Sequence, residues 1–436
     1  MRMWAILNET APTTLIGRFL LFAHEINTAF DVVTMKEFLL KAGTAIIGNG
    51  EILSDVSLLI RGERIVDVGA GLSAGASAVI MDFSDRVVMP GVIDTHIHVC
   101  FDGTSTTPAD MKRFSDEYLA VRGAGFAEQI LQHGVTTIGD AASRGDVSLA
   151  VRQAIENGII RGPRMLVCGR MITITGGQDK DFRQNEADGP DNVRRATREE
   201  IARGVDFIKL LATGAISSAE TESMSAQFSK EEMQAAVEEA HKVGKRVHAH
   251  AYGDVGMENA VLAGVDVLVL GHPMTERIVD MMKKYETLLM PTLVTYYESF
   301  QHHGEGLLPE YMIRKEKELF PLIEEGFKRA VKGGIKIVLG SDSGMPYTPF
   351  GKSSMEELEL MVRLGGMSEM DAIVAGTLNA AKALNIDAHV GSLEPGKSAD
   401  LLVLAPDRNP LRNLSILQDP NSVERVILRG RSVVER

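Results

Sequence analysis

The stretch Val87-Val-Met-Pro-Gly-Val-Ile-Asp-Thr-His-Ile-His-Val99 decides how the rest of the chain is interpreted. Its second half is mostly apolar and β-branched, which predicts a strand, and residues two apart on a strand point to the same side. His96 and His98 therefore face one point. Imidazole is a common ligand of transition metals, so the pair indicates part of a metal site. A lone His-x-His motif arises often by chance, and two buried histidines that only form hydrogen bonds are the alternative.

Length, composition and charge limit the classes of protein to which the chain can belong. The chain has 436 residues, enough for roughly two or three domains or for one large barrel with an appendage. Hydrophobic residues make up 44% and charged residues 24%, without a membrane-length apolar run, which predicts a soluble globular protein. The net charge of -13 carries no basic block, so neither nucleic acid nor a membrane is expected as a partner. Having only Cys100 and Cys168 favours a reducing, cytoplasmic location.

The two ends of the chain share one sequence pattern. Short strand patterns separated by glycine turns occupy residues 38–90, and similar patterns return in residues 386–436. We expect both ends to build one composite β-sandwich. Residues 1–37 form an N-terminal extension, for which disorder is one interpretation.

Between these ends, residues 91–385 alternate apolar strands with amphipathic helices. Eight strands are predicted, at residues 92–99, 136–140, 164–168, 207–212, 246–251, 267–270, 288–294 and 335–339. Helices are predicted between most of them, for example at residues 126–133, 149–157, 230–243 and 277–285. This pattern predicts an α/β fold, a closed (β/α)₈ TIM barrel, whose chemistry lies at the carboxyl ends of the strands.

Further ligand-type residues fall on or near the ends of these strands. Lys209 lies inside an apolar run, where an unpaired ammonium is expensive. His248 and His250 share one face of strand five, His272 follows strand six, and Asp342 follows strand eight. Any one of them could be a core polar group with a hydrogen-bond partner. Their occurrence together on separate strands indicates a metal site that also includes the first histidine pair.

This constellation resembles the amidohydrolase superfamily, in particular the binuclear branch in which the strand-four lysine is carboxylated. The phrases Pro90-Gly-Val-Ile-Asp-Thr-His-Ile-His98, Gly134-Val-Thr-Thr137 and Leu393-Glu-Pro-Gly-Lys-Ser-Ala-Asp-Leu401 look like those of prolidase, arginine/lysine carboxypeptidase and imidazolonepropionase-like members. The resemblance covers nearly the whole chain from about residue 38. It implies the barrel with its β-sandwich, and assembly into a homo-oligomer.

The resemblance also implies a cofactor set and residue roles. Two divalent metal ions, with zinc the best suited, would be bridged by Lys209 after its reaction with carbon dioxide or bicarbonate. The implied ligands are His96, His98, Lys209, His250, His272 and Asp342. Asp342 would also transfer protons during catalysis, and Tyr252 would stabilise the oxyanion. His248 stays open as the alternative ligand on strand five.

The implied reaction is hydrolysis of an amide or peptide bond in a small-molecule substrate by a hydroxide that bridges the two metals. Release of a C-terminal amino acid from a dipeptide or an N-acyl amino acid is expected, as in an Xaa-Pro dipeptidase or a carboxypeptidase. Deaminases of the superfamily typically lack the strand-four lysine, so Lys209 favours hydrolysis. Deaminase, imidazolonepropionase-like cyclic-amide hydrolase, lactonase and phosphotriesterase activities remain alternatives. A non-catalytic scaffold is a remote alternative, because all the expected ligands are present.

Overall fold

A computed structural model describes residues 37–104, 108–178, 182 and 184–436. The predicted N-terminal extension therefore lies almost entirely outside the described residues. Within them, no helix has both the length and the apolar character needed to cross a membrane.

Sixteen strands occur in the described part of the chain. They are β1 (Glu37–Ile46), β2 (Ile52–Arg61), β3 (Arg64–Gly69), β4 (Val79–Pro90), β5 (Val92–Ile97), β6 (Val135–Asp140), β7 (Arg164–Val167), β8 (Ile172–Thr173), β9 (Asn185–Glu186), β10 (Ile208–Leu211), β11 (Val247–Tyr252), β12 (Val267–His272), β13 (Leu288–Met290), β14 (Leu401–Leu404), β15 (Val423–Leu428) and β16 (Arg431–Glu435).

The α-helices of the same residues lie mainly between the central strands. They are α1 (Asp116–Gln132), α2 (Val147–Glu156), α3 (Pro190–Ala202), α4 (Lys230–Lys242), α5 (Gly253–Ala263), α6 (Glu276–Tyr285), α7 (Leu293–Gln301), α8 (Glu310–Lys332), α9 (Lys352–Gly365), α10 (Glu369–Ala375) and α11 (Leu378–Ala383). Several begin at a side-chain cap; Ser229, for example, forms a capping box with Glu232 at the start of α4.

Strands from both ends of the chain form one seven-stranded sheet, in the order β16-β15-β14-β4-β1-β2-β3. The late strand β14 pairs with the early strand β4, with Leu401 opposite Pro90. The sheet also curls back, because the amide of Ile65 on the edge strand β3 donates to the carbonyl of Lys397 at 2.9 Å, shortly before β14. Only Gly91 separates β4 from β5, so this sheet anchors the strand that carries the histidine pair.

The central strands form two parallel sheets. One contains β5-β6-β7, and the other contains β13-β12-β11-β10-β8-β9. Every residue of β5, β6, β10, β11 and β12 is buried, and helices pack around them, as expected for parallel strands covered on both faces. The chain therefore has an α/β fold whose parallel strands direct their carboxyl ends to a common region.

The segment predicted as strand eight joins the two parallel sheets without forming a continuous ladder. The amide of Val338 donates to Leu289 of β13 at 2.8 Å, and the carbonyl of Leu339 accepts from Thr95 of β5 at 3.1 Å. Isolated bridges link Ile337 to Leu289 and Ser343 to Ile97. Since neighbouring residues of this segment bond to different strands, residues 335–339 are not a regular strand.

Strand seven is shorter than predicted. β13 ends at Met290, and α7 begins at Leu293, so the apolar run predicted as a strand to residue 294 is divided between a strand and a helix. Pro291 has no amide hydrogen to donate to a neighbouring strand, and Thr292 adopts a left-handed backbone with φ 47°. Both features end the strand and redirect the chain.

Candidate active site

A cavity with an empty volume of about 810 Å³, part of it open to solvent, lies towards the carboxyl ends of the parallel strands. Six of the seven predicted site residues line the cavity: His96, His98, Lys209, His250, Tyr252 and Asp342.

The innermost part of the cavity is a compact group of His96, His98 and Asp342, whose ligand atoms all lie within 4.8 Å of one another. The Nε2 atoms of the two histidines are 3.2 Å apart. Oδ1 of Asp342 lies 3.3 Å from Nε2 of His96 and 2.8 Å from Nε2 of His98. The alternation of β5 brings the two imidazoles together, and the backbone amide of Asp342 donates to the carbonyl of His96 at 2.8 Å.

These groups lack the hydrogen bonds that buried polar atoms normally form. Among the described residues, Oδ1 of Asp342 and the Nδ1 atoms of His96 and His98 are buried without a hydrogen-bond partner. Leaving one such atom unsatisfied costs about 1–3 kcal/mol. Two imidazoles and a carboxylate form a donor set that suits zinc and similar divalent ions. The converging Nε2 atoms and Oδ1 therefore fit a metal ion, which would give Oδ1 of Asp342 the partner it lacks.

The electrostatic setting favours the metal-binding protonation states. Burial and the nearby Lys209 ammonium hold the pKa of His96 well below its ordinary value, and the same two causes lower the pKa of His250 to about 3. Burial alone would raise the pKa of Asp342, but the neighbouring imidazoles of His96 and His98 bring it well below its usual range. Neutral imidazoles and an ionised carboxylate are the forms that bind metals.

Lys209 is a buried lysine in the lining of the cavity. It lies in β10, its exposed fraction is 2%, and it makes no hydrogen bond or ion pair with any described residue. Burial lowers its pKa to about 8, despite the opposing charge of Asp342. Its amine therefore releases a proton far more easily than the amine of an exposed lysine.

The two histidines of β11 have different surroundings. His250 lines the cavity, with Nε2 3.0 Å from the carbonyl oxygen of Gly214. His248, two residues earlier on the same face of β11, is fully buried. Its Nε2 lies 2.9 Å from the carbonyl oxygen of Ala383, and its ring packs against Phe207. His248 is not among the residues that line the cavity.

The structure does not bring His272 into the close group. It is fully buried, its Nε2 lies 3.1 Å from the carbonyl oxygen of Pro291, and its ring contacts Tyr296 edge to face at 5.6 Å. The backbone has positive φ at both Leu270 and Gly271, and the register with β11 shifts at this point. This irregularity determines where His272 lies. Its Nδ1 has no hydrogen-bond partner among the described residues.

Tyr252 is paired with a second tyrosine. Its hydroxyl is hydrogen-bonded to the hydroxyl of Tyr296, and both residues are buried and line the cavity. Burial raises the pKa of both phenols above the ordinary value, so both hydroxyls keep their protons. The backbone amide of Tyr252 donates to Oγ1 of Thr213 at 3.1 Å, which fixes the position of the ring.

A second buried aspartate supports the group from behind. Oδ2 of Asp94 accepts from the hydroxyls of Ser341 at 2.5 Å and Ser354 at 2.6 Å. Its Oδ1 accepts from the backbone amides of His96 and Ser341, each at 3.1 Å. Asp94 therefore ties the strand of the histidine pair to the segment that carries Asp342.

One wall of the cavity carries polar residues from α7 and α8. Glu316 is 4% exposed, and its carboxylate accepts from the hydroxyl of Ser299 at 2.8 Å and from Nε2 of His303 at 2.5 Å. Burial raises the pKa of Glu316, and the hydrogen bonds from His303 and Ser299 oppose this shift. Tyr296 lies one helical turn before Ser299 on α7.

The opposite part of the lining is apolar. Phe101 and Phe182 stack with their ring centroids 5.2 Å apart, and both line the cavity together with Met171. These residues belong to a hydrophobic cluster separate from the one that includes Tyr252 and Tyr296. A substrate would therefore meet an aromatic surface and a polar wall.

The loop that follows β10 is held against α8 by a second buried lysine. Nζ of Lys315 donates to the carbonyl oxygens of Ala215 at 3.1 Å, Ser218 at 2.6 Å and Thr221. Residues 215–217 of this loop line the cavity. Lys315 therefore fixes one part of the cavity wall.

Sequence reasoning noted Tyr296 and His303 as residues that follow strand seven and could shape the pocket, but it missed Ser299 and Glu316. Tyr296 and Ser299 follow the helical spacing i, i+3, which places them on one face of α7, and His303 lies just beyond the end of this helix. That spacing was hidden because the start of α7 was interpreted as part of a strand. The pairing of this face with Glu316 depends on tertiary structure and has no local signal.

Comparison with known proteins gives several matches. The model of the amidohydrolase family matches residues 87–433. Ochratoxinase of Aspergillus niger is 30% identical over 427 residues, which cover 91% of this chain and 86% of that protein. Imidazolonepropionase of Picrophilus torridus is 22% identical over 390 residues, covering 83% of this chain and 88% of that protein.

Two solved structures show the same fold over most of the chain. The crystal structure of an Xaa-Pro dipeptidase with bound methionine in its active site superposes with a TM-score of 0.84 at 30% identity, covering 92% of this chain and 100% of that chain. The structure of Aspergillus niger ochratoxinase superposes with a TM-score of 0.82 at 27% identity, covering 92% and 96% of the two chains.

Proposed function

Since this chain belongs to the amidohydrolase family and is a hydrolytic enzyme acting on carbon–nitrogen bonds, we propose that it releases the C-terminal amino acid from dipeptides or N-acyl amino acids. The observation that carries the proposal is the buried group of His96, His98 and Asp342 in the lining of the cavity. The similarity to an Xaa-Pro dipeptidase supports the substrate class.

We propose a binuclear metal centre for this site, with zinc the best suited ion. His96 and His98 would hold one ion, His250 and His272 the other, and Asp342 would complete the set. Nδ1 of His272 is the ring nitrogen left without a partner, which makes it the available ligand atom. When bound, the ions supply Lewis acidity, which makes water nucleophilic near neutral pH and polarises the scissile carbonyl.

Lys209 would join this centre as a carbamate. Carbon dioxide reacts with a neutral amine, and with a pKa of about 8 roughly a tenth of the Lys209 side chain is neutral at pH 7. Carboxylation would replace a buried cation that has no partner among the described residues by an anion beside the ligands of the metal site. Bicarbonate in the medium would supply the carbon dioxide.

The remaining chemistry is carried by two side chains of the cavity. Asp342, whose Oδ1 has no hydrogen-bond partner among the described residues, would accept a proton from the attacking water and deliver it to the leaving amine. The protonated hydroxyl of Tyr252 would donate a hydrogen bond to the oxyanion of the tetrahedral intermediate. Tyr296 would orient that hydroxyl through their mutual hydrogen bond.

The architecture we propose around the site is a closed (β/α)₈ barrel over residues 91–385, with a β-sandwich built from residues 38–90 and 386–436. Residues 335–343 would take the place of the eighth strand, supported by their hydrogen bonds to β13 and β5. On the other side, the hydrogen bond from the Asp206 amide to the Val167 carbonyl at 2.8 Å supports closure.

The cellular setting stays a prediction. Cys100 and Cys168 are both buried and unpaired, which supports the predicted reducing, cytoplasmic location. The predicted homo-oligomer also stays a prediction, and size-exclusion chromatography with light scattering would measure it.

The first experiment measures bound metal by elemental analysis on protein prepared with zinc and bicarbonate, alongside hydrolysis assays. We expect about two ions per wild-type chain and a sharp fall in metal content and activity in Lys209→Ala. Dipeptides, N-acyl amino acids, a cyclic amide, lactones and organophosphates would be compared as substrates. One ion per chain that does not depend on Lys209 would contradict the binuclear centre, and hydrolysis confined to another substrate class would contradict the proposed reaction.

A matched pair on β11 tests the ligand assignment. His250→Asn should lower metal content and activity at least about tenfold, because it removes a proposed ligand. His248→Asn changes the same residue type on the same strand, away from the cavity, and should leave the metal content of the folded protein unchanged. The reverse result would identify His248 as the ligand.

A further inference from the structure

We propose that Glu316 is a specificity-determining residue that selects substrates with a free α-ammonium group, and so favours dipeptides over N-acyl amino acids. This inference rests on the proposed hydrolysis of amide bonds. The proposed function includes both dipeptides and N-acyl amino acids, and Glu316 would distinguish between them.

The first step is the placement of the carboxylate. Glu316 belongs to α8 and lines the cavity that contains the metal-ligand group, and its hydrogen-bond partners among the described residues, Ser299 and His303, are not proposed ligands. Its hydrogen bonds from Ser299 and His303 use one acceptor position on each oxygen. A carboxylate has about four such positions, so further capacity remains for a donor in the cavity.

A chain of contacts links Glu316 to the proposed oxyanion donor. Tyr252, the proposed oxyanion donor, is bonded to Tyr296, and Ser299 lies one helical turn further along α7. Glu316 is bonded to Ser299. In a dipeptide, one carbon atom separates the ammonium from the scissile carbonyl. A carboxylate close to the tyrosine pair is therefore placed to meet this ammonium.

The third step is the chemistry of the partner. Burial of a carboxylate is costly, and Ser299 and His303 offset only part of this cost for Glu316, so a further donor or a positive charge in the cavity would be favourable. The ammonium of a dipeptide offers three donors and one positive charge, whereas an N-acyl group offers neither. Because hydrogen bonds to charged groups contribute about 1.5–3 kcal/mol, the expected preference is about tenfold or more.

The test uses pairs of substrates that differ only in the ammonium: leucyl-phenylalanine with 4-methylpentanoyl-phenylalanine, and leucyl-proline with 4-methylpentanoyl-proline. For the wild-type enzyme loaded with zinc, kcat/KM should be about tenfold or more higher for the leucyl member of a pair. Glu316→Gln keeps the size of the side chain and should abolish this preference, by slowing the leucyl compound while sparing its partner.

Glu318→Gln is the matched control, because Glu318 lies on the same helix with a side chain that is 56% exposed and paired with Arg314. It should retain the wild-type preference. Equal kcat/KM values within each pair for the wild type would overturn the proposal. An equal slowing of both members in Glu316→Gln would also overturn it, since that result shows a purely structural role. Leucyl-arginine tests a competing origin: an effect of Glu316→Gln confined to this substrate would assign the carboxylate to a basic side chain instead.

A binding measurement separates this inference from the proposed function. If neither member of any pair is hydrolysed, the proposed reaction fails, and calorimetric titration of the same compounds then decides the role of Glu316. Binding of the leucyl compound about tenfold tighter to wild type than to Glu316→Gln would support the ammonium site. Equal or absent binding would overturn it.

Discussion

Asp94 and Asp342 are two buried aspartates in neighbouring parts of the same region, and their surroundings are opposite. Asp94 accepts four hydrogen bonds, two from serine hydroxyls and two from backbone amides. Asp342 has an Oδ1 without any hydrogen-bond partner among the described residues, although it is crowded by two imidazoles. The first carboxylate is complete within the fold, whereas the second is incomplete without an added group.

The number of hydrogen bonds distinguishes a structural aspartate from a catalytic one, whereas burial does not, because both are buried. A buried carboxylate with all its partners stabilises the backbone around it, and its loss should appear mainly in the free energy of unfolding. A buried carboxylate without partners destabilises the unliganded fold, and its loss should appear mainly in activity. Sequence position gives no such distinction, because both aspartates lie in or beside predicted strands.

The largest expected effect is on activity. Asp342→Asn should reduce kcat/KM by about 10³-fold or more, because it removes both a metal ligand and the proton acceptor. The melting temperature of the metal-free protein should fall less than that of Asp94→Ala, because the substitution weakens two contacts to imidazoles instead of removing four hydrogen bonds. Hydrolysis assays and thermal unfolding in a chelator would measure the two effects. A stable variant with near-wild-type activity would contradict the catalytic role of Asp342.

Asp94→Ala should show the reverse, with a loss of about 3–5 kcal/mol in the free energy of unfolding measured with urea. The substitution leaves the hydroxyls of Ser341 and Ser354 and two backbone amides without their acceptor. Ser354→Ala removes only one of the four bonds and should cost about 1 kcal/mol. If Asp342→Ala destabilised the metal-free protein as much as Asp94→Ala, both aspartates would be structural.

Glu357 is a third buried carboxylate, and its contribution to stability should depend on pH. This buried carboxylate accepts from the amides of Leu293 and Val294 at the start of α7, at 2.9 and 2.7 Å. Burial raises its pKa from 4.5 to about 8, so the folded protein retains a proton that the unfolded chain releases. Its stabilising contribution is therefore complete below about pH 4.5 and is lost as the pH rises towards 8.

Urea unfolding of wild type and Glu357→Gln at pH 5 and pH 9 would measure this effect. Between these two values the wild type should lose stability relative to Glu357→Gln, by an amount on the order of 4 kcal/mol. A difference between the two proteins that is the same at both pH values would show that Glu357 does not change its protonation in this range.

The sequence predicted the family, the α/β fold and the hydrolytic chemistry because these depend on residues with strong local signals. The apolar run with His96 and His98 is such a signal, and the structure brings both histidines together with Asp342. The metal ligands and the role of Lys209 stay predictions until metal binding is measured. The position of His272 could not be predicted from the sequence, because it depends on the positive φ values of Leu270 and Gly271.

Other features had no signal in the pattern of residues. An apolar run does not reveal whether it is a strand, a helix or both, so the end of β13 and the start of α7 were misplaced. The irregular pairing of residues 335–339 depends on two strands that are far away in sequence. The wall formed by Ser299, His303 and Glu316 results from the packing of α7 on α8, which no local pattern encodes.

The adjacency of Lys315 and Glu316 has a consequence for how substrate preference could change over evolution. Successive residues of an α-helix point about 100° apart, so one side chain fastens the loop after β10 while the next faces the cavity. A point substitution at position 316 can alter which substrates are accepted and leave the loop anchored. An insertion or deletion earlier in α8 would rotate both side chains away together. New specificities should therefore arise in this helix by exchange of residues and not by change of its length.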